Sequence, residues 1–297
     1  MKKICLIGAT GFIGNNIYET LNKNKNLKII RFSSKENKFI DDVDDKNFDL
    51  LIFCAGIHSL PGDNSKNIFL KNKKIIKNCK FLFNNTSKII FFSSFKTCFD
   101  QNNHKILSSN NYNFYEYDTN YGKTKIINEK IFLKFCKYFK KKYLIIAPTH
   151  VIGPNDKKLN PNNKFLIDLY KKKIIFYPNV NIPIVDVRNI SFNIEQIISK
   201  NKLTNEKIIL NDKNLKLKNY INLIKKEQLF FSIAINLNFI MFVSRILNLV
   251  KIKIFNKSRF KYIEMNPVVF SKNNLKKFNI YETIEDTKKF FIKKLND

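Results

Sequence analysis

Short apolar runs alternate with helical periodicity through the first half of the chain. Lys3–Ile7 is apolar, of strand length, and stops at a glycine loop, after which Asn15–Asn22 continues with helical spacing. Leu27–Phe32, Phe48–Cys54, Lys88–Phe92 and Tyr143–Ala147 are further runs of the same kind. Between them, Ile68–Cys79 and Tyr121–Tyr138 read as helices, the second with apolar residues at Ile126, Ile127, Ile131, Phe132 and Phe135. Strands that are apolar throughout, rather than at every second position, suit a parallel sheet covered on both faces. The pattern therefore predicts an α/β fold with a doubly wound parallel sheet, whose ligand crevice lies at the carboxyl ends of the strands. The stretch between the second and third strands is short, so a helix is expected to be missing there. After Pro154 the order loosens, with short strands predicted near Ile182–Val187 and Lys207–Leu210 and no internal repeat.

The run from Leu229 to Ile252 is almost continuously apolar, but Asn236, Asn238 and Arg245 interrupt it. Three polar side chains argue against a spanning helix, so a buried or interfacial helix is expected, with an interfacial membrane contact through 229–252 as the corresponding partner.

Charge changes this picture little. The net charge is +30, from 54 Lys and Arg against 24 Asp and Glu. Only Arg31, Arg188, Arg245 and Arg259 are arginines, the preferred readers of phosphates and bases, and Lys is enriched in every segment alike. A solvated basic surface is expected, without specific nucleic-acid binding. The five cysteines, Cys5, Cys54, Cys79, Cys98 and Cys136, form no C-x-x-C pair and read as reduced thiols of a cytoplasmic protein; Met1-Lys2-Lys3 leads straight into a strand with no signal-peptide pattern. His58, His104 and His150 have no metal-ligand spacing, so no metal site is expected.

The glycine loop is the strongest chemical signal. Gly8-Ala9-Thr10-Gly11-Phe12-Ile13-Gly14 sits between a strand and a helix. Glycine permits the tight turn and lets the backbone approach a pyrophosphate lying at the helix N-terminus. With seven glycines in 297 residues, about 0.004 such G-x-x-G-x-x-G runs are expected by chance. This makes the fold a Rossmann-type dinucleotide-binding one. The division expected is a dinucleotide-binding domain at 1–155 and a smaller C-terminal α/β substrate lobe at 156–297, interleaved with the first. No acidic residue stands between Leu21 and Lys35 to hold the ribose hydroxyls; Arg31, Ser33, Ser34 and Lys35 stand at the end of the second strand instead. Donors of this kind favour NADP over NAD.

Tyr121 and Lys125 are spaced i, i+4 on one helix face. A nearby ammonium stabilises a phenolate and lowers its pKa, which lets Tyr exchange a proton with a substrate hydroxyl. Ser93-Ser94 closes the fourth strand at the crevice, where a hydroxyl can hydrogen-bond a developing oxyanion.

With GATGFIG (8–14), CAGIH (54–58), FSSFK (92–96), YGKTK (121–125), PTHVIGPN (148–155), IPIVDVRNI (182–190) and VFSKNNLKKFNI (269–280), the chain resembles an extended short-chain dehydrogenase/reductase of the NAD-dependent epimerase/dehydratase group. The resemblance implies a catalytic set of Ser94, Tyr121 and Lys125. It implies cofactor contacts from Gly8, Thr10, Gly11, Phe12, Ile13, Gly14, Arg31, Ser33, Ala55, Gly56, Tyr121, Lys125 and Pro148, with Asn72 as the helix asparagine. Substrate contacts are expected from His58, Ser94, His150 and Arg188; Arg188 either holds a diphosphate or clips to Asp186. The activity implied is an NAD(P)-dependent sugar-nucleotide epimerase or ketoreductase, with a nucleotide-sugar substrate and a homodimeric assembly. Ala147 and His150 stand where the family often has Arg and Asn. Phe95 and Lys96 stand where its dehydratases carry Asp and Glu, which argues against dehydration. A noncatalytic assembly or binding subunit that keeps the cofactor fold is the alternative, because fold alone does not establish function.

Overall fold

The computed structural model describes residues 1–33, 47–57, 65–79, 82–83, 85–98, 120–201, 203–236, 238–239, 266–271 and 274–296. The central sheet has six parallel strands: β1 (Lys2–Ile7), β2 (Leu27–Phe32), β3 (Leu50–Phe53), β4 (Lys88–Phe92), β5 (Lys142–Pro148) and β9 (Glu206–Leu210). Their order across the sheet is β2-β1-β3-β4-β5-β9. The register pairs Ile4 with both Ile29 and Leu50, Ile90 with Leu144, and Ile146 with Ile208. The chain order reverses direction from β1, outward to β2 on one side and to β3 on the other, so the crevice at this switch point opens above the glycine loop.

Helices cover both faces, as the apolar strands require. On one face α1 (Phe12–Leu21) packs beside α5 (Val187–Ser199), with Ile17, Leu21, Ile190 and Ile194 closing on Ile4, Leu6, Ile52, Ile90 and Ile146. On the other, α2 (Ser65–Asn78) packs against α3 (Asn120–Tyr138), and Ile76, Phe132, Phe135 and Cys136 meet Cys5, Leu51, Phe53, Phe91 and Ile145. Phe53, Phe91 and Phe132 stack in a column, with centroids 5.3 and 4.4 Å apart and planes within 11°.

The predicted short strands are present as β8 (Asn181–Asp186) and β9, and β9 joins the central sheet although it lies in the second half of the chain. Beyond β6 (His150–Ile152), a smaller lobe is built from α4 (Pro161–Lys171), β7 (Ile174–Pro178), β8, β10 (Lys213–Lys216), α6 (Leu217–Ile224), β11 (Phe231–Ile235) and α7 (Ile280–Asn296). Its core holds Leu166, Ile175, Tyr177, Ile184, Tyr220, Ile221 and Ile284. β6, β8 and β10 form a three-stranded sheet whose β8 turns directly into α5, so the two halves of the chain share elements.

The helix expected at 229–252 is corrected in its first part. Phe231–Ile235 is a strand that pairs in parallel with β7, placing Phe231 opposite Ile174 and Ile233 opposite Phe176, all four exposed. The physical reason is the alternation of Phe231, Ile233 and Ile235 with the smaller Ser232 and Ala234, which fits a period of two beside an open strand edge. Residues 240–252 lie outside the described residues, as do His58, Ser34, Lys35 and the stretch 34–46 where a helix was expected to be missing. Among the described residues no helix is long and apolar enough to cross a membrane. All five cysteines are free thiols, and burial pushes the pKa of each one up.

Candidate active site

A cleft of about 510 Å³ opens at the carboxyl ends of β1, β3, β4 and β5, within the size range of small-molecule sites. Its lining includes Gly11–Gly14, Cys54, Gly56 and Ile57, then Ser94–Lys96, Tyr121, Lys125, Pro148 and His150, together with Asp156 and Lys158–Asn162.

The glycine loop is as tight as the sequence implied. Gly8 has φ +83°, and a Cβ on it would lie 2.8 Å from the backbone nitrogen of Ala55. A Cβ on Gly14 would lie 2.2 Å from the Gly8 carbonyl oxygen, so the helix could not approach the loop. Helix α1 starts at Gly11 with no side-chain cap and no acidic residue in its first turn. Its amide groups and positive dipole end therefore stand at the cleft with no acidic side chain in the helix's own first turn, which suits a dinucleotide pyrophosphate. Thr10 Oγ1 and Ser33 Oγ, 2.6 Å apart, tie the loop to the end of β2. Arg31 lays its guanidinium 4.3 Å from the Tyr18 ring centroid on that side. Gly8, Thr10, Arg31, Ser33 and Ala55 lie beside the cleft rather than in its lining.

The catalytic candidates converge. Helix α3 carries Tyr121, Lys125 and Glu129 at successive turns of one face, and Ser94 stands on the turn just after β4. Tyr121 and Ser94 share a side-chain hydrogen bond. Lys125 Nζ donates to the Phe92 carbonyl at 3.5 Å and lies 5.8 Å from the Tyr121 ring centroid. The expected lowering of the tyrosine pKa is corrected: burial pushes Tyr121 up to about 12, partly offset by the Ser94 hydrogen bond. Burial acts on Lys125 in the opposite sense, bringing it down to about 8, opposed by the charges of Cys54 and Glu129. The physical reason is that desolvation penalises the charged form of both groups.

Asn72 locks the loop after β3 through both ends of its amide: Ile57 N donates to Oδ1 at 2.7 Å and Nδ2 donates to the Ile57 carbonyl at 3.0 Å. This holds Gly56 against Lys125, whose Nζ would be 3.3 Å from a Cβ at that position. His150 lines the cleft, 3.2 Å from Asn162 Oδ1 through Nδ1, with its ring edge-on to Phe95. Arg188 is elsewhere. Its guanidinium donates to Asp186 at 2.7 and 3.0 Å and to Asp286 at 2.6 Å, stacks 3.9 Å from the Phe278 ring centroid, and does not line the cleft. Of the two expectations for Arg188 the structure shows the clip, because two carboxylates, one fully buried, already use its fork.

Sequence reasoning missed a buried network under Ser94. Glu129 is fully buried; its Oε2 accepts from Ser93 Oγ at 2.5 Å and lies 3.0 Å from Thr97 Oγ1, and its Oε1 accepts from Lys207 Nζ at 2.8 Å. Lys207 also donates to Thr97 Oγ1 at 2.6 Å. The signal for Glu129 was its place one helical turn past Lys125. The signal for Lys207 is a charge at a buried position of the strand EKIIL, directly before the apolar Ile208, Ile209 and Leu210. Lys96, on the 3-10 turn Phe95–Cys98, carries no signal in the sequence beyond its departure from a family pattern.

The sequence matches the NAD dependent epimerase/dehydratase family over residues 4–174, more than half of the chain. The chain belongs to that family. No curated protein sequence matches it. Solved structures similar to this family member include the crystal structure of gox2253, at 16% identity and TM-score 0.75, covering 99% of this chain and 98% of that one. The UDP-N-acetylglucosamine 4-epimerase from Methanobrevibacter ruminantium M1, in complex with UDP-N-acetylmuramic acid, is 18% identical with TM-score 0.70 and 99% of each chain covered. RMD from Pseudomonas aeruginosa, complexed with NADPH, is 12% identical with TM-score 0.69, covering 98% of this chain and 99% of that one. At these identities the likeness shows the fold, a Rossmann-type α/β architecture, over nearly the full length.

Proposed function

We propose that this epimerase/dehydratase family member is an NAD(P)-dependent sugar-nucleotide epimerase or ketoreductase in which Tyr121 moves the proton. The observation that carries the reading is the placement of Ser94, Tyr121 and Lys125 on the cleft wall that continues from the glycine loop. The uncapped N-terminus of α1 and the close approach of Gly8 and Gly14 fit a dinucleotide pyrophosphate. A bound nicotinamide supplies the hydride donor and acceptor. Tyr121 is protonated at neutral pH, and burial raises its pKa further; its hydroxyl donates a proton to a substrate carbonyl oxygen as that carbon is reduced. Ser94, hydrogen-bonded to the same hydroxyl, holds the substrate oxygen beside it, and the Lys125 ammonium, fixed by the Phe92 carbonyl, stabilises the phenolate left behind. In the reverse direction the same phenolate takes the proton from a sugar hydroxyl.

Arg31 and Ser33 at the end of β2, with no acidic residue between Leu21 and Ser33, support NADP over NAD. The similar structures have been solved with either: RMD with NADPH, and the Thermus thermophilus UDP-glucose 4-epimerase with NAD. The structures with UDP-N-acetylmuramic acid and, for the Thermotoga maritima epimerase, UDP-glucose support a sugar nucleotide as substrate class.

Mass spectrometry of the cofactor carried by the purified protein, then a turnover screen of UDP-, GDP- and dTDP-sugars with the wild type and Tyr121→Phe, tests the reading. Turnover in the wild type, lost by about 10²–10⁴ in Tyr121→Phe with cofactor affinity kept, is the expected result. Tyr121→Phe turnover within a few-fold of the wild type removes Tyr121 as the proton carrier. Cofactor binding without turnover of any sugar nucleotide favours the noncatalytic subunit.

A further inference from the structure

Two ammonium groups flank the Tyr121 ring, Lys96 at 5.7 Å and Lys125 at 5.8 Å from its centroid. They differ in what holds them. Lys125 donates to the Phe92 carbonyl and has Glu129 one turn further along α3. Lys96 stands two residues past Ser94, with its backbone amide donating to Ser94 Oγ at 3.3 Å and its side chain on the cleft wall. Among the described residues it pairs with no carboxylate. Among the described residues the cleft is lined by one carboxylate, Asp156, and that group is occupied. It accepts from Lys158 N, from Asn160 N and Nδ2, and from Asn163 Nδ2, which folds the 156–163 segment onto itself.

An ammonium drawn partly out of water, as Lys96 is, without a counter-charge is costly, and a ligand anion in the cleft completes the pair. Desolvation lowers the Lys96 pKa, and among the described residues no acidic neighbour opposes it. Lysines such as Lys171, Lys172 and Lys173 stand on solvated surface, and the buried Lys207 and Lys288 pair with Glu129 and Glu285; Lys96 instead lines the cleft. Two sources of anion are available in a sugar nucleotide: the diphosphate and an acidic group on the sugar. Lys96 shares its wall with Ser94 and Tyr121, so its counter-charge belongs beside the reacting carbon.

We propose that Lys96 is the specificity-determining cation of the substrate half of the cleft, and that the sugar taken by this enzyme carries a carboxylate next to the carbon that reacts. The proposal rests on the sugar-nucleotide reading above.

Calorimetry with the cofactor-saturated protein separates the two. The probes are UDP-glucuronate, UDP-glucose and UDP, with the dTDP- and GDP-linked pairs in parallel, against wild type, K96Q and K96R. The wild type is expected to bind the glucuronate at least tenfold more tightly than the matched glucose nucleotide. K96Q brings that ratio near one while leaving the nucleoside diphosphate within twofold, and K96R keeps most of the preference. A wild-type ratio near one, or a preference unchanged in K96Q, overturns the proposal. An equal loss of the nucleoside diphosphate alone in K96Q overturns it too, because the anion at Lys96 is then the diphosphate. Binding without preference leaves the sugar-nucleotide reading standing, whereas no binding of any nucleotide or sugar nucleotide overturns both.

Discussion

The buried pair of Glu129 and Lys207 supports the turn that carries Ser94 and Lys96, and its removal has a definite cost. Glu129→Gln keeps an oxygen for Ser93 Oγ and Thr97 Oγ1 but leaves Lys207, 3% exposed, as an uncompensated charge. Lys207→Met leaves the fully buried Glu129 with only two hydroxyl donors. Breaking a buried pair from one side costs about 3–5 kcal/mol, because the remaining ion has lost both water and partner. At roughly 2 °C per kcal/mol for a chain of this size, each single variant melts about 6–10 °C lower. Glu129→Gln/Lys207→Met leaves no charge behind and costs no more than either single change, a coupling of about 3 kcal/mol. Thermal and urea unfolding of the three variants measure this cycle. The expected functional counterpart, assayed well below the melting temperature, is a loss of turnover in both single variants with cofactor affinity kept, since the Ser93–Cys98 turn shifts while the glycine loop does not. Additive effects, or single losses below about 1 kcal/mol as for an exposed pair, refute the reasoning.

Gly14→Ala places a Cβ 2.2 Å from the Gly8 carbonyl oxygen, so α1 must move off the loop; calorimetry is expected to show loss of dinucleotide binding, and an unchanged affinity in a folded variant contradicts the loop assignment. Arg188→Ala leaves Asp186, fully buried, and Asp286 without their cation and is expected to cost about 3 kcal/mol in unfolding while substrate and cofactor affinities of the folded protein stay within twofold; a selective loss of substrate affinity returns Arg188 to the site. Lys125 has a folded pKa near 8, below its ordinary value, so the unfolded chain binds the proton more strongly. Its penalty on stability is full below about pH 8 and is relieved as pH rises from there towards the ordinary lysine range. Lys125→Met is therefore expected to melt higher than wild type at pH 7, with the difference shrinking by pH 10, and to lose turnover; a lower melting temperature at pH 7 contradicts the desolvation account.

The sequence by itself determined the covered parallel sheet and the tight glycine loop. Both rest on local rules: apolar runs of strand length, a glycine spacing that only a close backbone approach demands, and i, i+4 spacing that puts Tyr121 and Lys125 on one helix face. Those constraints act within a few residues, so they are legible without the fold. What the tertiary structure decided depends on groups brought together over long separations. Glu129 and Lys207 are 78 residues apart and meet only because β9 returns to the edge of the sheet beside β5. Arg188 and Asp286 are 98 apart, and their pairing chose the clip over the diphosphate. The direction of the Tyr121 shift was also out of reach, because spacing shows that an ammonium is near but burial sets how much the charged form costs. At Phe231–Ile235 the apolar run was ambiguous between helix and strand, and the open edge of β7 settled it by supplying backbone partners. Sequence pattern records what each segment can bury, whereas the counter-charge a buried group meets is a property of the assembled chain.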